Sequence, residues 1–164
     1  MGTESVTVYL GLGSNLGNRQ DNLSRTLDFL SHRLRVEKVS SAYDTEPIDN
    51  TDQPHFLNMV CQIYVMLAPR ELLTLIKGIE CKLGRIPGNH NAPRPIDIDI
   101  LFYGDQIFKT PELIIPHSKL TERAFVLIPL VEIAPDLVHP KNSKTISQLL
   151  QELGGVQGVL KLDY

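Results

Sequence analysis

RPIDIDILFYG, residues 94–104, carries the clearest strand pattern in the sequence. Ile96, Ile98 and Ile100 alternate with two aspartates, and such alternation of apolar and polar residues predicts a half-buried β-strand. Residues two apart in a strand point to the same face, at a spacing of about 6.6 Å. Asp97 and Asp99 therefore share one face, and we expect the three isoleucines to point from the other face into the core.

The segments around this strand show the periodicities of a mixed fold. Apolar residues at helical spacing alternate with β-rich runs, and proline-rich polar loops separate several of them. The predicted elements are a strand at 6–12, a helix at 18–34, strands at 36–43 and 56–67, a helix at 69–83 and a strand at 96–103. Polar loops are predicted at 44–54 and 84–95.

This order predicts an α+β fold, a ferredoxin-like βαββαβ unit with an antiparallel sheet and with helices on one face. A C-terminal extension follows, with short helices predicted at 125–134 and 145–153. The other face of the sheet is then open to a ligand or to the extension. Neither a repeat nor a linker interrupts the sequence, so we expect a single domain over residues 1–164.

The composition excludes several classes of protein. A net charge of −3 lacks the basic excess of a nucleic-acid-binding surface, and no apolar run reaches the roughly 18 residues of a membrane span. The two cysteines, Cys61 and Cys81, lie in apolar-rich segments without a CxxC pair, so we expect buried, reduced thiols. We expect a cytoplasmic monomer that binds neither nucleic acid nor membrane.

Two carboxylates on one strand face suit a hard cation. Mg²⁺ is usually held by one or two carboxylates together with substrate phosphates. Planar guanidinium groups suit phosphate oxygens, and several basic side chains flank the strand of Asp97 and Asp99. These basic side chains are Arg85, Arg94, His117 and Arg123. The combination favours phosphoryl transfer, whereas the alternation alone also fits a half-exposed strand with a solvated polar face.

Four motifs in order along the chain resemble the 6-hydroxymethyl-7,8-dihydropterin pyrophosphokinase family. They are GLGSNLG at 11–17, PHFLN at 54–58, PRPIDIDIL at 93–101, and PH at 116–117 followed by RAFVLIPL at 123–130. The resemblance covers about residues 8–140. The fold of that family is ferredoxin-like, in agreement with the order of elements.

The resemblance implies a reaction. The chain would transfer pyrophosphate from ATP to the hydroxymethyl group of 6-hydroxymethyl-7,8-dihydropterin, releasing AMP and the pterin diphosphate, in folate biosynthesis. Asp97 and Asp99 would hold two Mg²⁺ ions, while Arg85 and Arg94 stabilise the transferring group. These four residues are the predicted catalytic residues, with ATP and the dihydropterin as the binding partners.

The resemblance also implies residues for the nucleotide. The predicted ATP-binding residues are Glu80, Arg94, Ile100, His117 and Arg123. For Glu80 a solvated helix position remains an equal alternative. The glycine-rich GLGSNLG stretch matches neither GxGxxG nor a P-loop, so we interpret it as a mainly structural turn beside the pterin pocket.

A pterin is a flat heteroaromatic ring with hydrogen-bonding groups on its edge, so it needs stacking partners and a few amides. Phe56 and Phe125 match the two stacking rings of the family, and Asn58 matches its edge-binding amide. The predicted pterin-binding residues are Thr45, Pro47, Phe56, Asn58, Asp97 and Phe125. By composition alone, ordinary core packing of Phe56 and Phe125 remains the alternative.

The loop at 84–95 has the length and composition of a lid, with an arginine near each end. The family often carries a second arginine and a tryptophan in this loop, where the chain has Pro87 and about Asn91. An RNA-binding ferredoxin-like module would need its aromatic strand motif and a basic surface, and the sequence has neither. A non-catalytic nucleotide or metal sensor on the same fold remains the alternative function.

Overall fold

The computed structural model of the chain describes residues 5–46, 52–86, 92–154 and 159–162. Within these ranges, eight strands and four α-helices follow one another. They are β1 Val6–Ser14, α1 Arg19–Arg33, β2 Arg35–Val39, β3 Tyr43–Thr45, β4 Phe56–Val65, α2 Pro69–Lys82, β5 Asp97–Tyr103, β6 Phe108–Lys109, β7 Ile114–Ile115, α3 Ala124–Ile133, α4 Ile146–Leu153 and β8 Val159–Lys161.

Six strands form one antiparallel sheet in the order β5-β1-β4-β3-β8, and β2 also pairs with β4. The ten-residue β4 is long enough to pair with β3 at its start and with β2 near its end. In the β1–β5 pair, Gly13 lies opposite Asp97 and Gly11 lies opposite Asp99. The residues of β1 opposite the two aspartates therefore have no side chains on that face of the sheet.

Each face of the sheet has its own apolar core. On one face, Leu10, Leu12 and Ile98 are buried in a cluster with residues of α1 and α2 such as Leu30 and Ile76. On the other face, a second cluster joins the sheet to α3 and α4. Its members include Tyr9, Phe102, Leu127 and Leu149. The C-terminal extension thus covers the face that the sequence left open, so helices lie on both faces rather than on one.

A bulge near the middle of β5 separates the start of the strand, which carries the two aspartates, from its end, which is packed in the core. Leu10 pairs with Ile100 and Tyr9 pairs with Phe102, which leaves Leu101 as the extra residue. Before the bulge, the side chains on the cavity face of β5 are those of the two aspartates. Beyond it, Leu101 and Phe102 are both buried in the α3/α4 cluster. The same face of one edge strand is therefore polar at its start and apolar at its end.

The predicted strand at 36–43 is wrong in extent, because it is interrupted between β2 and β3. The Ser40 hydroxyl accepts the Val60 N–H at 2.9 Å, so a side chain here replaces a backbone acceptor of the ladder. The Ser41 N–H donates to Glu132 Oε2 at 2.9 Å instead of to β4. Asp44 and Thr45, predicted to begin a loop, are consequently paired within β3.

The region outside the predicted unit adds strands that the periodicity did not indicate. β6 and β7 form a separate two-stranded hairpin, and β8 pairs with β3 at the edge of the main sheet. Cys61 is buried as expected, but the expectation for Cys81 is wrong, because α2 directs it to solvent. None of the helices among the described residues is long and apolar enough to cross a membrane.

Candidate active site

A cavity of about 160 Å³ lies on the α3/α4 face of the sheet, between the strands and the first turn of α3. β1, β4 and β5 form its floor, and α3 and the segment before β5 form its walls. Eight of the predicted site residues line it: Thr45, Phe56, Asn58, Arg94, Asp97, Asp99, Arg123 and Phe125. The fold therefore brings most of the candidates from five separate segments to one place.

The floor of the cavity depends on Gly13. A Cβ atom at this position would lie 2.6 Å from Asn58 Oδ1, so a side chain here would displace the Asn58 amide, and it would touch the Phe56 ring at 3.4 Å. Asn58 is buried and its Nδ2 donates to Thr45 Oγ1 at 2.5 Å, which fixes the plane of the amide. Gly13 thus leaves room for a polar edge made by Asn58 and Thr45.

Each of the two cavity phenylalanines has an arginine over its ring. The guanidinium carbon of Arg94 lies 5.0 Å from the Phe56 ring centre, and that of Arg123 lies 5.5 Å from the Phe125 ring centre. Both distances are within the range of cation–π attraction. Phe56 and Phe125 are only partly buried and border the cavity, and Phe125 also packs against the α3/α4 cluster. The structure therefore argues against ordinary core packing for Phe56, whereas Phe125 combines core contacts with a place in the lining.

Asp97 is held by two arginines. Arg85 Nη1 donates to Asp97 Oδ1 at 2.8 Å, and Arg94 Nη2 lies 3.5 Å from Asp97 Oδ2. Arg85 also donates to Glu80 Oε2 at 2.6 Å. Burial lowers the pKa of Arg85, but the charges of Asp97 and Glu80 outweigh it and raise the pKa, so the guanidinium stays charged.

Glu80 supports the site from the edge of the sheet. Its carboxylate accepts the Ile98 N–H at 2.9 Å, which satisfies an edge-strand donor, and it lies 3.4 Å from the ammonium group of Lys77. The side chain is 4% exposed, so the alternative of a solvated helix residue is wrong. The three bonds place Glu80 behind Arg85 rather than in the lining of the cavity.

Asp99 has weaker ion-pair contacts than Asp97. Burial raises the pKa of Asp99 well above its usual range, the nearby Asp97 carboxylate raises it further, and Arg123 only partly offsets them. Its nearest basic contact is His117, whose Nε2 lies 4.0 Å from Asp99 Oδ1. Burial, together with the charge of Arg123, lowers the pKa of His117, which favours a neutral ring. An added cation would favour the ionised form of Asp99.

The donor set fits a magnesium ion. Among the described residues there is no group of three or more histidine, cysteine or acidic side chains that could hold a metal alone. Two adjacent carboxylates remain, and Mg²⁺ commonly takes one or two carboxylates and completes its shell with phosphates and water.

The other predicted residues lie outside the lining. Arg85 and His117 border it through their contacts with Asp97 and Asp99. The Ile100 side chain is buried in the α1/α2 core, so a nucleotide contact there is limited to main-chain atoms. Pro47 and the lid positions Pro87 and Asn91 lie outside the described residues.

Sequence reasoning missed Asn15, which follows β1 and is 1% exposed. It was included in a turn interpreted as mainly structural. Its side chain hydrogen-bonds to two separate segments that line the cavity, at Gln53 and Arg94. The signal available in the sequence was an asparagine directly after a buried strand, where polar side chains commonly bond to neighbouring backbone.

Comparison with known proteins gives consistent matches. A family model described as 7,8-dihydro-6-hydroxymethylpterin-pyrophosphokinase matches residues 9–135. A relative from Aquifex aeolicus named 2-amino-4-hydroxy-6-hydroxymethyldihydropteridine pyrophosphokinase is 40% identical over 147 residues, which cover 90% of this chain and 92% of the relative.

Longer relatives contain a similar segment. Folic acid synthesis protein fol1 of Pneumocystis carinii is 40% identical over 151 residues, which cover 92% of this chain and 20% of the relative. This chain thus spans about a fifth of that relative. The crystal structure of Plasmodium falciparum HPPK-DHPS wild type with pteroate aligns with a TM-score of 0.75 at 18% identity, covering 93% of this chain and 43% of that one. At this identity the likeness concerns the fold.

Proposed function

Because the chain belongs to the 7,8-dihydro-6-hydroxymethylpterin-pyrophosphokinase family, we propose that it transfers pyrophosphate from ATP to the hydroxymethyl group of 6-hydroxymethyl-7,8-dihydropterin. The products are AMP and the pterin diphosphate, and the reaction is a step of folate biosynthesis. The observation that carries the proposal is the meeting of Asp97, Asp99 and Arg94 with two partly buried phenylalanines in one cavity. That combination offers an anionic metal site and an aromatic clamp side by side.

The phosphates of ATP belong at the charged end of the cavity. Arg94 and Arg123 line the cavity and would lie beside the phosphate oxygens, and His117 borders the same end. Arg85 is bound to Asp97 and so lies next to the transferring group. The hydroxyl oxygen of the pterin would bond to the β-phosphorus as the bond from this phosphorus to the AMP oxygen breaks, so charge moves onto the β and γ phosphates and the departing AMP. Bonds from Arg85 and Arg94 to the transferring group would strengthen as this charge develops and would lower the barrier. The direct nucleotide contacts of Glu80 and Ile100 stay predictions.

The pterin belongs at the apolar end. Its ring would stack between Phe56 and Phe125, and its edge would bond to Asn58 and Thr45. In the free protein Arg94 lies over Phe56 and Arg123 lies over Phe125, so each arginine can leave its ring for phosphate when the pterin takes its place. Pro47 completes the predicted pterin set, on a segment outside the described residues.

Asp97 and Asp99 would hold Mg²⁺, and we propose two ions per site. Bound Mg²⁺ supplies Lewis-acid stabilisation of the phosphates and a lower pKa for the attacking hydroxyl. A cation bound to Asp97 would compete with Arg85 and Arg94 for the charge of this carboxylate, which would favour a shift of a guanidinium toward phosphate. Asp99 would become fully ionised beside the cation, since its pKa is raised without one.

Several further properties belong with this proposal. The strand order, with β2 and β3 both beside β4 and two helices on one face, supports a ferredoxin-like core. The single domain over residues 1–164, the monomeric state and the cytoplasmic location stay predictions. So does the absence of nucleic-acid and membrane partners. The lid role of residues 84–95 also stays a prediction, because part of that loop lies outside the described residues.

The test is a turnover assay. Purified protein is incubated with ATP and Mg²⁺, with and without 6-hydroxymethyl-7,8-dihydropterin, and AMP and pterin diphosphate are quantified. We expect the two products in equal amounts, only when the pterin is present, and none after Mg²⁺ is chelated. Tight ATP binding without AMP release under any of these conditions would instead favour the sensor function.

A further inference from the structure

The turn between β1 and α1 contains a buried asparagine whose bonds cross the back of the cavity. Asn15 Oδ1 accepts the Arg94 N–H at 2.8 Å, and the Asn15 N–H donates to the Arg94 carbonyl at 3.1 Å. The side-chain Nδ2 donates to Gln53 Oε1 at 2.8 Å and to the Pro54 carbonyl at 3.2 Å. One side chain therefore joins three segments that are distant in sequence.

Two of the partners of Asn15, Gln53 and Arg94, belong to different segments that line the cavity. Gln53 lines it next to Phe56, at the proposed pterin end. Arg94 also lines it, and its guanidinium lies between the two proposed subsites, 3.5 Å from Asp97 Oδ2 and 5.0 Å from the Phe56 ring centre. Asn15 is not part of the lining and is almost completely buried. Its contacts with the site therefore act through the residues that it holds.

We propose that Asn15 is a positioning residue that couples the two ends of the cavity, so that each substrate strengthens binding of the other. This inference rests on the proposed function, which supplies the two substrates. A pterin that orders the segment of Gln53 and Pro54 thereby orders Asn15 and the Arg94 backbone. The coupling must be reciprocal, because both substrates stabilise the same arrangement of these segments.

The chemistry of the amide explains why asparagine suits this position. The amide of Asn15 carries an acceptor for the Arg94 N–H and two donor hydrogens for the oxygens of Gln53 and Pro54. An aspartate has the same shape but offers only acceptors, so it would keep the bond to Arg94 and lose those to Gln53 and Pro54. Alanine would lose the side-chain bond to Arg94 as well as those to Gln53 and Pro54.

Asn22 of α1, which also bonds to this turn, provides a matched control. Its Nδ2 donates to Ser14 Oγ at 3.2 Å and to the Leu16 carbonyl at 2.9 Å, and the residue is also buried. Its bonds therefore stabilise the turn without reaching either side of the cavity. Asn22→Ala measures the effect of a weakened turn alone.

The experiment measures a coupling factor, the ratio of the dissociation constants of a non-hydrolysable ATP analogue without and with saturating dihydropterin. We expect a factor well above one for the unmodified protein and for Asn22→Ala. We expect it to fall by roughly tenfold, toward one, in Asn15→Asp and Asn15→Ala. A factor of one in the unmodified protein, or an unchanged factor in the folded Asn15 variants, overturns the proposal.

A second readout separates this inference from the proposed function, because it requires no substrate. Amide hydrogen exchange at Arg94 reports the bond to Asn15 Oδ1. We expect faster exchange in Asn15→Ala, but not in Asn15→Asp or Asn22→Ala. An unchanged exchange rate in Asn15→Ala overturns the role of Asn15 even if turnover is normal. Absent turnover in the unmodified protein, together with the expected exchange rates, points to failure of the proposed function instead. If Asn15→Ala does not fold, Asn15→Asp alone still decides the coupling.

Discussion

The two faces of β5 contrast sharply within one strand. Ile98 and Ile100 point into the core beneath α1 and α2, whereas Asp97 and Asp99 point into the cavity on the opposite face. Burial of the apolar side chains stabilises the folded state, whereas the polar face places two like charges close together. The contrast teaches that, before the bulge, core residues and candidate site residues lie on opposite faces of the strand, so substitutions there should separate effects on stability from effects on turnover.

A second contrast lies between the two aspartates. Asp97 forms ion pairs with two arginines, whereas Asp99 lies 4.0 Å from His117, and the charges of Arg123 and Arg85 only partly offset the desolvation of Asp99 and the like charge of Asp97. Asp97 therefore contributes to the free protein through its ion pairs. Ionisation of Asp99 costs free energy until a cation binds beside it, so we expect this carboxylate to contribute favourably only in the cation-bound protein.

The largest expected effect is that of Asp99→Asn on turnover. Loss of a carboxylate that would hold Mg²⁺ removes stabilisation of the transferring phosphates, and we expect turnover to fall by roughly a hundredfold or more. Without Mg²⁺ the free energy of unfolding should be unchanged or higher, because a costly charge is removed. Single-turnover kinetics and chemical denaturation measure the two quantities.

Asp97→Asn is the matched comparison for this variant. We expect a similar loss of turnover, accompanied by lower stability, because Arg85 and Arg94 lose their shared partner. Near-normal turnover of either variant at ordinary Mg²⁺ would contradict a metal-binding role for that aspartate. Equal stability changes in both would contradict the contrast between them.

The next effect is that of Ile98→Ala on stability. The side chain is 4% exposed, and truncation of such a residue typically costs about 2 to 5 kcal/mol of unfolding free energy. We expect turnover per folded molecule to change little, since the side chain points away from the cavity. Ile98→Val should show a smaller loss of the same kind. A large loss of turnover in folded Ile98→Ala would show that the two faces are not independent.

A smaller effect is expected for Phe125→Ala. Loss of one stacking face should weaken dihydropterin binding by about 1 kcal/mol and affect an ATP analogue less. Phe102→Leu is the control on the same face of the sheet, since Phe102 is buried against α3 and α4 away from the cavity. It should lower stability without changing pterin binding. Equal weakening of both ligands by Phe125→Ala would indicate a packing role.

The smallest effect concerns a carboxylate of the cavity face that has a structural role. Glu132 Oε1 accepts the Tyr43 hydroxyl at 2.6 Å, and Glu132 Oε2 accepts the N–H and hydroxyl of Ser41. Partial burial would raise the pKa of Glu132, but these bonds outweigh it and lower the pKa. Burial, with the contribution of Glu132, raises the pKa of Tyr43 to about 12.

Glu132→Gln tests this interaction through its pH dependence. A carboxyl group with a lowered pKa stabilises the fold above its ordinary pKa of 4.5, and the stabilisation is lost as the pH falls through the folded value. We expect the variant to be less stable by about 1 kcal/mol or less at pH 7, with a difference that narrows below pH 4.5. A difference that is independent of pH would contradict this origin.

Much of the candidate site was predictable from the sequence because its signals are local. Alternation placed Asp97 and Asp99 on one face of a strand, and motifs around Phe56 and Phe125 nominated the aromatic pair. The structure brings all four into one cavity. It also places Glu80 behind Arg85, a role that no local pattern indicates, because the bond from Ile98 depends on how α2 packs against an edge strand.

By itself, the sequence determined the order of the main helices and strands and the two faces of β5, since periodicity follows from backbone geometry. The tertiary structure alone decided the break between β2 and β3, the cover of the second face by α3 and α4, and the contacts of Asn15. Each of these depends on hydrogen bonds or apolar contacts between residues far apart in the chain. Which distant residues come into contact depends on how all segments pack in the sheet and in the two cores, and a local sequence pattern does not contain this information.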